Sequence, residues 1–122
     1  MGIPFKRRGR TVDGVDCFGL IKIIYEEMGW KWEEPPVVYA LDGSGYSATE
    51  YSRLWERIYF PERFCMVLMM WNNCKFPDHV GLVWNSQTVI HATAKIGVSL
   101  AKFSNIRDKI VGYYRYIGGE KW

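Results

Sequence analysis

The apolar positions of this chain change their period about halfway along it. From Cys17 to Met28 the residues Leu20, Ile21, Ile24 and Met28 recur at helical spacing, and Gly29 follows as a terminator. Asp16 or Asp13 can cap the first turn, which puts Cys17 in that turn on the same buried-side stripe. A second helix is predicted over 47–60: Ser47 and Glu50 form an S-x-x-E capping box, Tyr51, Leu54, Trp55 and Ile58 make one stripe, and Pro61 ends it. After Pro61 the period falls to two. Phe64–Trp71 reads as a continuous apolar strand buried on both faces, His79–Trp84 and Thr88–Thr93 as a strand pair, and Val98–Lys102 and Val111–Ile117 as two more. Residues 1–16, with Gly2, Pro4, Gly9 and Gly14 and no periodicity, read as a loop, and 30–46, with Pro35, Pro36, Gly43 and Gly45, as an irregular crossing. Helices first and strands afterwards predict an α+β fold: N-terminal helices on a mostly antiparallel sheet of about five strands.

Length and composition narrow this further. A chain of 122 residues suits one domain, 1–122, built on one core. With 48% hydrophobic and 24% charged residues it is globular in composition. Aromatic content is high at 16%, which either fills a small core with large side chains or exposes rings that grip an extended ligand. The net charge of +3 is uneven: Lys6, Arg7, Arg8 and Arg10 crowd the first ten residues without an acid. Such a stretch is a solvated basic loop or a point of attraction for a polyanion. No apolar h-region follows these charges, so synthesis in the cytoplasm is expected. The longest apolar run, Phe64–Trp71, is eight residues, far below a membrane span, so none is expected. Three cysteines without framework spacing favour thiol chemistry over disulfides.

Cys17 is the thiol to consider first. A free cysteine titrates at about 8.5 and attacks only as thiolate. A helix N-terminus sets partial positive charge and N–H groups against the sulfur, which lowers that value and also binds an oxyanion. Gly14 would let the chain turn into the helix, and Gly19 would leave room for substrate. An ordinary buried helical cysteine fits the local sequence as well. The two histidines, His79 and His91, supply a geometric condition, because they are twelve residues apart on the expected strand pair. They share a sheet face only if the loop around Trp84–Thr88 is odd in length or carries a bulge. On one face, His79 can take the thiol proton and later protonate a leaving amine, with His91 bonding its other nitrogen. The plainer reading of His91 is a half-buried strand residue packed against Tyr or Trp. Zinc is disfavoured: Cys17, Cys65, Cys74, His79 and His91 contain no C-x-x-C pair, Cys65 reads as core and Cys74 as loop, so neither metal nor cofactor is expected.

Three segments together resemble one family. Gly2-Ile-Pro-Phe5, leading through a glycine-rich stretch to Asp16-Cys17-Phe18-Gly19-Leu20-Ile21, is similar to the G-x-P-Y and D-C-S-G-L-V of the NlpC-type papain-like cysteine peptidases. His79-Val80-Gly81-Leu82 and Ile90-His91-Ala92 resemble its H-V-G-I and I-H-A, in the same order and spacing, so that the resemblance spans roughly residues 2–117. It implies a papain-like fold and a cell-wall endopeptidase acting on peptidoglycan stem peptides. Cys17, His79 and His91 then take the nucleophile, base and orienting roles, and Asp16, Phe5 and Phe18 fall at substrate-binding positions. Phe5 replaces the family's tyrosine, Phe18 the serine that helps seat the stem peptide's free amine, and Glu62-Arg63-Phe64 its G-D-L turn. The D-C-F-G form and the Gly9-Arg10-Thr11-Val12-Asp13-Gly14 lead-in look like the phage-tail branch. A peptidoglycan peptide and other phage-tail proteins are the implied partners, with action at the cell wall after assembly into a tail; nucleic acid is not among them. The alternatives are an amidase or acyltransferase on the same triad, and a structural tail component whose triad is silent.

Overall fold

Asp16 decides where the first helix begins. Its carboxylate accepts the Gly19 amide at 2.7 Å, and its own backbone is extended (φ −91°, ψ −172°), as an N-cap requires. Helix α1 runs over Cys17–Glu27, so Cys17 is the first helical residue, and Gly29 follows the end at φ 87°. The computed structural model describes residues 2–6, 9–30, 55–71 and 79–117, with only the backbone of Phe18.

Before the helix, β1 (Arg10–Thr11) and β2 (Gly14–Val15) form a small antiparallel ribbon where a plain loop was expected. Strands of two residues are too short to show a period. They are stitched to the start of the chain instead: Lys6 N–H donates to the Val15 carbonyl at 2.9 Å and Val15 N–H to the Pro4 carbonyl at 3.0 Å.

The main sheet has six strands, one more than expected: β3 (Trp55–Ile58), β4 (Met66–Met69), β5 (His79–Val83), β6 (Thr88–Thr93), β7 (Gly97–Lys102) and β8 (Ile110–Tyr116). Their spatial order is β3-β8-β4-β5-β6-β7, and every neighbouring pair is antiparallel. A four-residue helix α2 (Phe103–Ile106) and a 3-10 turn (Arg107–Lys109) join β7 to β8. The extra strand corrects the second predicted helix. Trp55 and Ile58 lie three apart, which suits one helical face, but here the chain is extended and they point to opposite faces of the sheet. Trp55 packs with the α1-side core and Ile58 with the other. Residues 47–54, the irregular crossing from 31 on, and Cys74 lie outside the described residues.

Alternation divides the core into two layers. Met66, Leu68, Val80, Leu82, Ile90 and Ala92 pack with Leu20, Ile21 and Tyr25 of α1. Val67, Met69, Val83 and Val89 pack beneath with Ile106 of α2. This is why β4 is an unbroken apolar run: both of its faces are covered. That strand starts later than predicted, because Phe64 is in the left-handed region (φ 67°). The conformation is fixed from both sides: Phe64 N–H donates to the Val83 carbonyl, and the buried Tyr25 hydroxyl donates to the Phe64 carbonyl. Tyr25 also stacks on Tyr116 at 5.3 Å, and Trp55 lies 5.0 Å from Tyr116. These rings are core.

Two glycine roles read from the sequence change. Gly14 lies in β2 against the Lys6 side chain and does not form the entry to the helix. Gly19 leaves no open space by the sulfur: a Cβ there would come within 1.9 Å of the Gly9 carbonyl oxygen. Its missing side chain lets the N-terminal segment lie directly on α1. Gly19→Ala should therefore destabilise the protein by about 1–3 kcal/mol, because overpacking against backbone outweighs a helix-propensity gain of about 1 kcal/mol. Urea unfolding measures this, and a stabilised variant would show that the contact is not tight.

Candidate active site

The register of β5 on β6 brings the two histidines together. Leu82 pairs with Ile90 and Val83 with Val89, leaving residues 84–88, an odd number, between the inner pair. The odd-loop condition set by the sequence is met. His79 Nε2 and His91 Nδ1 are 2.9 Å apart in a buried hydrogen bond. Both rings belong to the face that carries Val83 and Val89, away from the helix-packed layer, and each lies 5.1 Å from the Trp71 ring. Gly81 makes room for this arrangement: a Cβ there would meet the Ile90 carbonyl oxygen and Val89 at 2.8 Å and the His91 Cβ at 3.1 Å.

One nitrogen of each ring is thus committed. With Nε2 of His79 in the shared bond, Nδ1 is the atom left to accept a proton from elsewhere. For it to do so, Nε2 must carry the hydrogen and donate to Nδ1 of His91. Burial, and secondly the neighbouring His91, lowers His79 from its ordinary value to about 3. Burial lowers His91 as well. The pair is neutral at physiological pH.

Cys17 stands at the same end of the sheet. The last turn of α1 is tied to the Val83 end of β5, through Tyr25 to Phe64 and Phe64 to Val83. Its first turn is tied to the other end: Val15 bonds Pro4, and Ile3 accepts the Val98 amide where β7 begins beside the end of β6. Cys17 is half-buried against the α1-side core and opens its helix, as His79 opens its strand. Cys17 packs on the helix-side layer, while the imidazoles face the other layer beside Trp71. Direct contact is established for the histidine pair, and for Cys17 the end of the sheet it occupies.

Asp16 does more here than its sequence position suggested. The oxygen that caps Gly19 also receives Arg10 Nη1 at 2.7 Å, in a pair whose side chains are only 17% and 11% exposed. Arg10 therefore leaves the solvated basic loop it was read into; Arg7 and Arg8 lie outside the described residues. Phe5 is half-buried, bridged to Val15 and packed on the α1-side core. Cys65 is core, 2% exposed, and burial pushes its thiol up to about 11, so it stays protonated. Trp71 and Arg10 are the residues that sequence reasoning missed, since nothing in their spacing marks the rings or the carboxylate they meet. Among the described residues, no group of three or more His, Cys, Asp or Glu side chains is placed to hold a metal ion, and no helix is long and apolar enough to cross a membrane.

A helix packed on a mostly antiparallel sheet is the fold this chain shares with solved NlpC/P60 proteins. Two solved structures establish that fold for this chain. One is an NlpC/P60 family protein from Bacillus cereus ATCC 10987 (TM-score 0.71, 18% identity, 95% of this chain and 36% of that one). The other is the NlpC/p60 domain of the peptidoglycan hydrolase SagA (TM-score 0.60, 16% identity, 96% of this chain and 89% of that one). The chain thus spans about a third of the first protein and most of the second domain. No family model and no curated protein matches the sequence.

The depressed imidazoles have a consequence for stability. Folding makes both histidines harder to protonate, so the unfolded chain binds more protons between about 6.5 and 3. The contribution of the pair is complete above pH 6.5 and is lost as the pH falls through that window. Urea midpoints should drop steadily from pH 7 to pH 4 in the wild type and less steeply in a His79→Gln, His91→Asn double variant. Parallel profiles would mean that other groups dominate the acid sensitivity.

Proposed function

We propose that this chain is a single-domain cysteine endopeptidase that hydrolyses amide bonds in peptidoglycan stem peptides. The observation that carries the reading is the buried bond between His79 Nε2 and His91 Nδ1, which leaves His79 Nδ1 to accept a proton; that Cys17 opens α1 supports it. The SagA domain, described as part of a peptidoglycan hydrolase, supports the substrate class.

In this mechanism His79 Nδ1 removes the Cys17 proton, and the sulfur attacks the scissile carbonyl. The oxyanion is met by backbone amides at the start of α1 other than that of Gly19, which Asp16 holds. His79 then protonates the leaving amine, and the acyl group stays on sulfur as a thioester. Water, deprotonated by the same nitrogen, releases the acid and restores the thiol. His91 keeps the proton of His79 on Nε2 throughout. Asp16, Phe5 and Phe18 are assigned to substrate, and the D-C-F-G form supports a phage-tail protein that reaches the cell wall with other tail components.

A silent site in a structural tail component is the second reading. Strand alternation bears on it, because both imidazoles point away from the helix-packed face and the thiol must reach them around the rim. Incubation of wild type and Cys17→Ala with peptidoglycan fragments, followed by mass spectrometry, separates the two. New amine and carboxyl termini with wild type alone are expected, with activity at least a thousandfold lower in the variant. Binding without cleavage by both proteins would establish the structural role. The acid limb of kcat/KM should lie well below 6.5, the ordinary histidine value, because His79 is held low by burial.

A further inference from the structure

The contact around the histidine pair that the mechanism above does not use is Trp71. Its indole centroid is 5.1 Å from each imidazole, and the two imidazoles are themselves 5.1 Å apart. The three rings form a near-equilateral triangle in which one side is the hydrogen bond and the other two are ring contacts. Trp71 lies tilted at 40° to His79 and edge-on, at 77°, to His91, so it meets both rings at once.

Resting on the reading of the pair as catalytic, we propose that Trp71 is a positioning residue: it holds the two imidazoles in hydrogen-bonding register and keeps water from the bond between them.

An indole beside histidine can act in two opposite ways. Its π face stabilises an imidazolium by about 0.5–2 kcal/mol, whereas exclusion of water by its bulk favours the neutral ring. Here the indole already lies under the Lys109 ammonium, 5.2 Å from the ring centroid. A second cation on the same π system would meet the repulsion of the first. Among the described residues, the other groups facing the pair offer no compensating charge: Met69 pairs with His79 from β4, Ser99 pairs with His91 from β7, and Gly81 lies between them on β5. Water exclusion therefore outweighs the π attraction, consistent with burial as the leading cause of the low His79 value. The His79 nitrogen stays unprotonated and oriented, which is the state a general base needs.

The test is a titration of the two imidazoles by NMR in the wild type, Trp71→Leu and Trp71→Phe. Removing the indole should raise the His79 midpoint by about one pH unit or more, and the smaller phenyl ring by about half as much. The acid limb of kcat/KM should move upward in the same order. A residue that merely fills the core would lower the melting temperature and leave both midpoints in place, and that result overturns the proposal. Should Trp71→Leu fail to fold, the Phe variant decides by the same criterion. The titration needs no turnover. A wild type that cleaves nothing but shows the shifts sinks the hydrolytic reading and leaves the positioning role, whereas cleavage with unmoved midpoints sinks the positioning role alone.

Discussion

A β-strand returns its side chains to one face at every second residue, so the site rests on the register of β5 against β6. One residue more or fewer in the turn between them would send His91 to the helix-packed face and leave His79 without its partner. Asn85 guards against this. Its side-chain oxygen accepts the amides of Gln87 and Thr88 and the Thr88 hydroxyl, each at 2.9 Å. The Gln87 carbonyl in turn accepts the Phe103 amide, tying the turn to the start of α2. A local motif at one end of the hairpin thus sets the geometry of a histidine pair at the other.

The start of α1 obeys a second constraint, contact between backbones. Gly9 can lie on Gly19 only because Gly19 carries no side chain, and Gly9 itself has no room for one against the Gly14 carbonyl. That contact places Arg10 beside Asp16, and the carboxylate then serves the helix cap and the ion pair with one oxygen. A nearly buried pair of this kind adds little net stability, since desolvation offsets most of its Coulomb attraction. Its effect is positional. With the ribbon and Pro4 holding Val15, Asp16 and Arg10 fix the first helical residue to one rim of the sheet.

Much of this was legible in the sequence, for reasons that also explain what was not. The helix from Cys17 was visible because its cap, stripe and terminator agree. The histidine pair was legible as a parity condition on loop length, which needs no knowledge of packing. Trp55 and Ile58 misled because spacing of three fits a helix face, while an extended strand sends residues three apart to opposite layers. Gly19 was read as space because a sequence does not reveal which backbone will occupy a gap. Trp71 carries no local signal at all: its importance lies in two rings eight and twenty residues further on.

Burial of the base also changes how the nucleophile must be activated in the proposed reaction. A resting thiolate–imidazolium pair needs an imidazole that is readily protonated, and His79, at about 3, is not. Moving a proton from a thiol to an imidazole held so low by burial is uphill before the two charges attract. A neutral His91 can orient the imidazolium but cannot repay that cost as a carboxylate would. The remaining stabilisation must come from the start of α1, whose amides and dipole favour negative charge on sulfur. Asp16 opposes this with a negative charge one residue away, and Arg10, 2.7 Å from it, largely cancels the opposition. In the proposed reaction the ion pair beside Cys17 therefore also favours its ionisation.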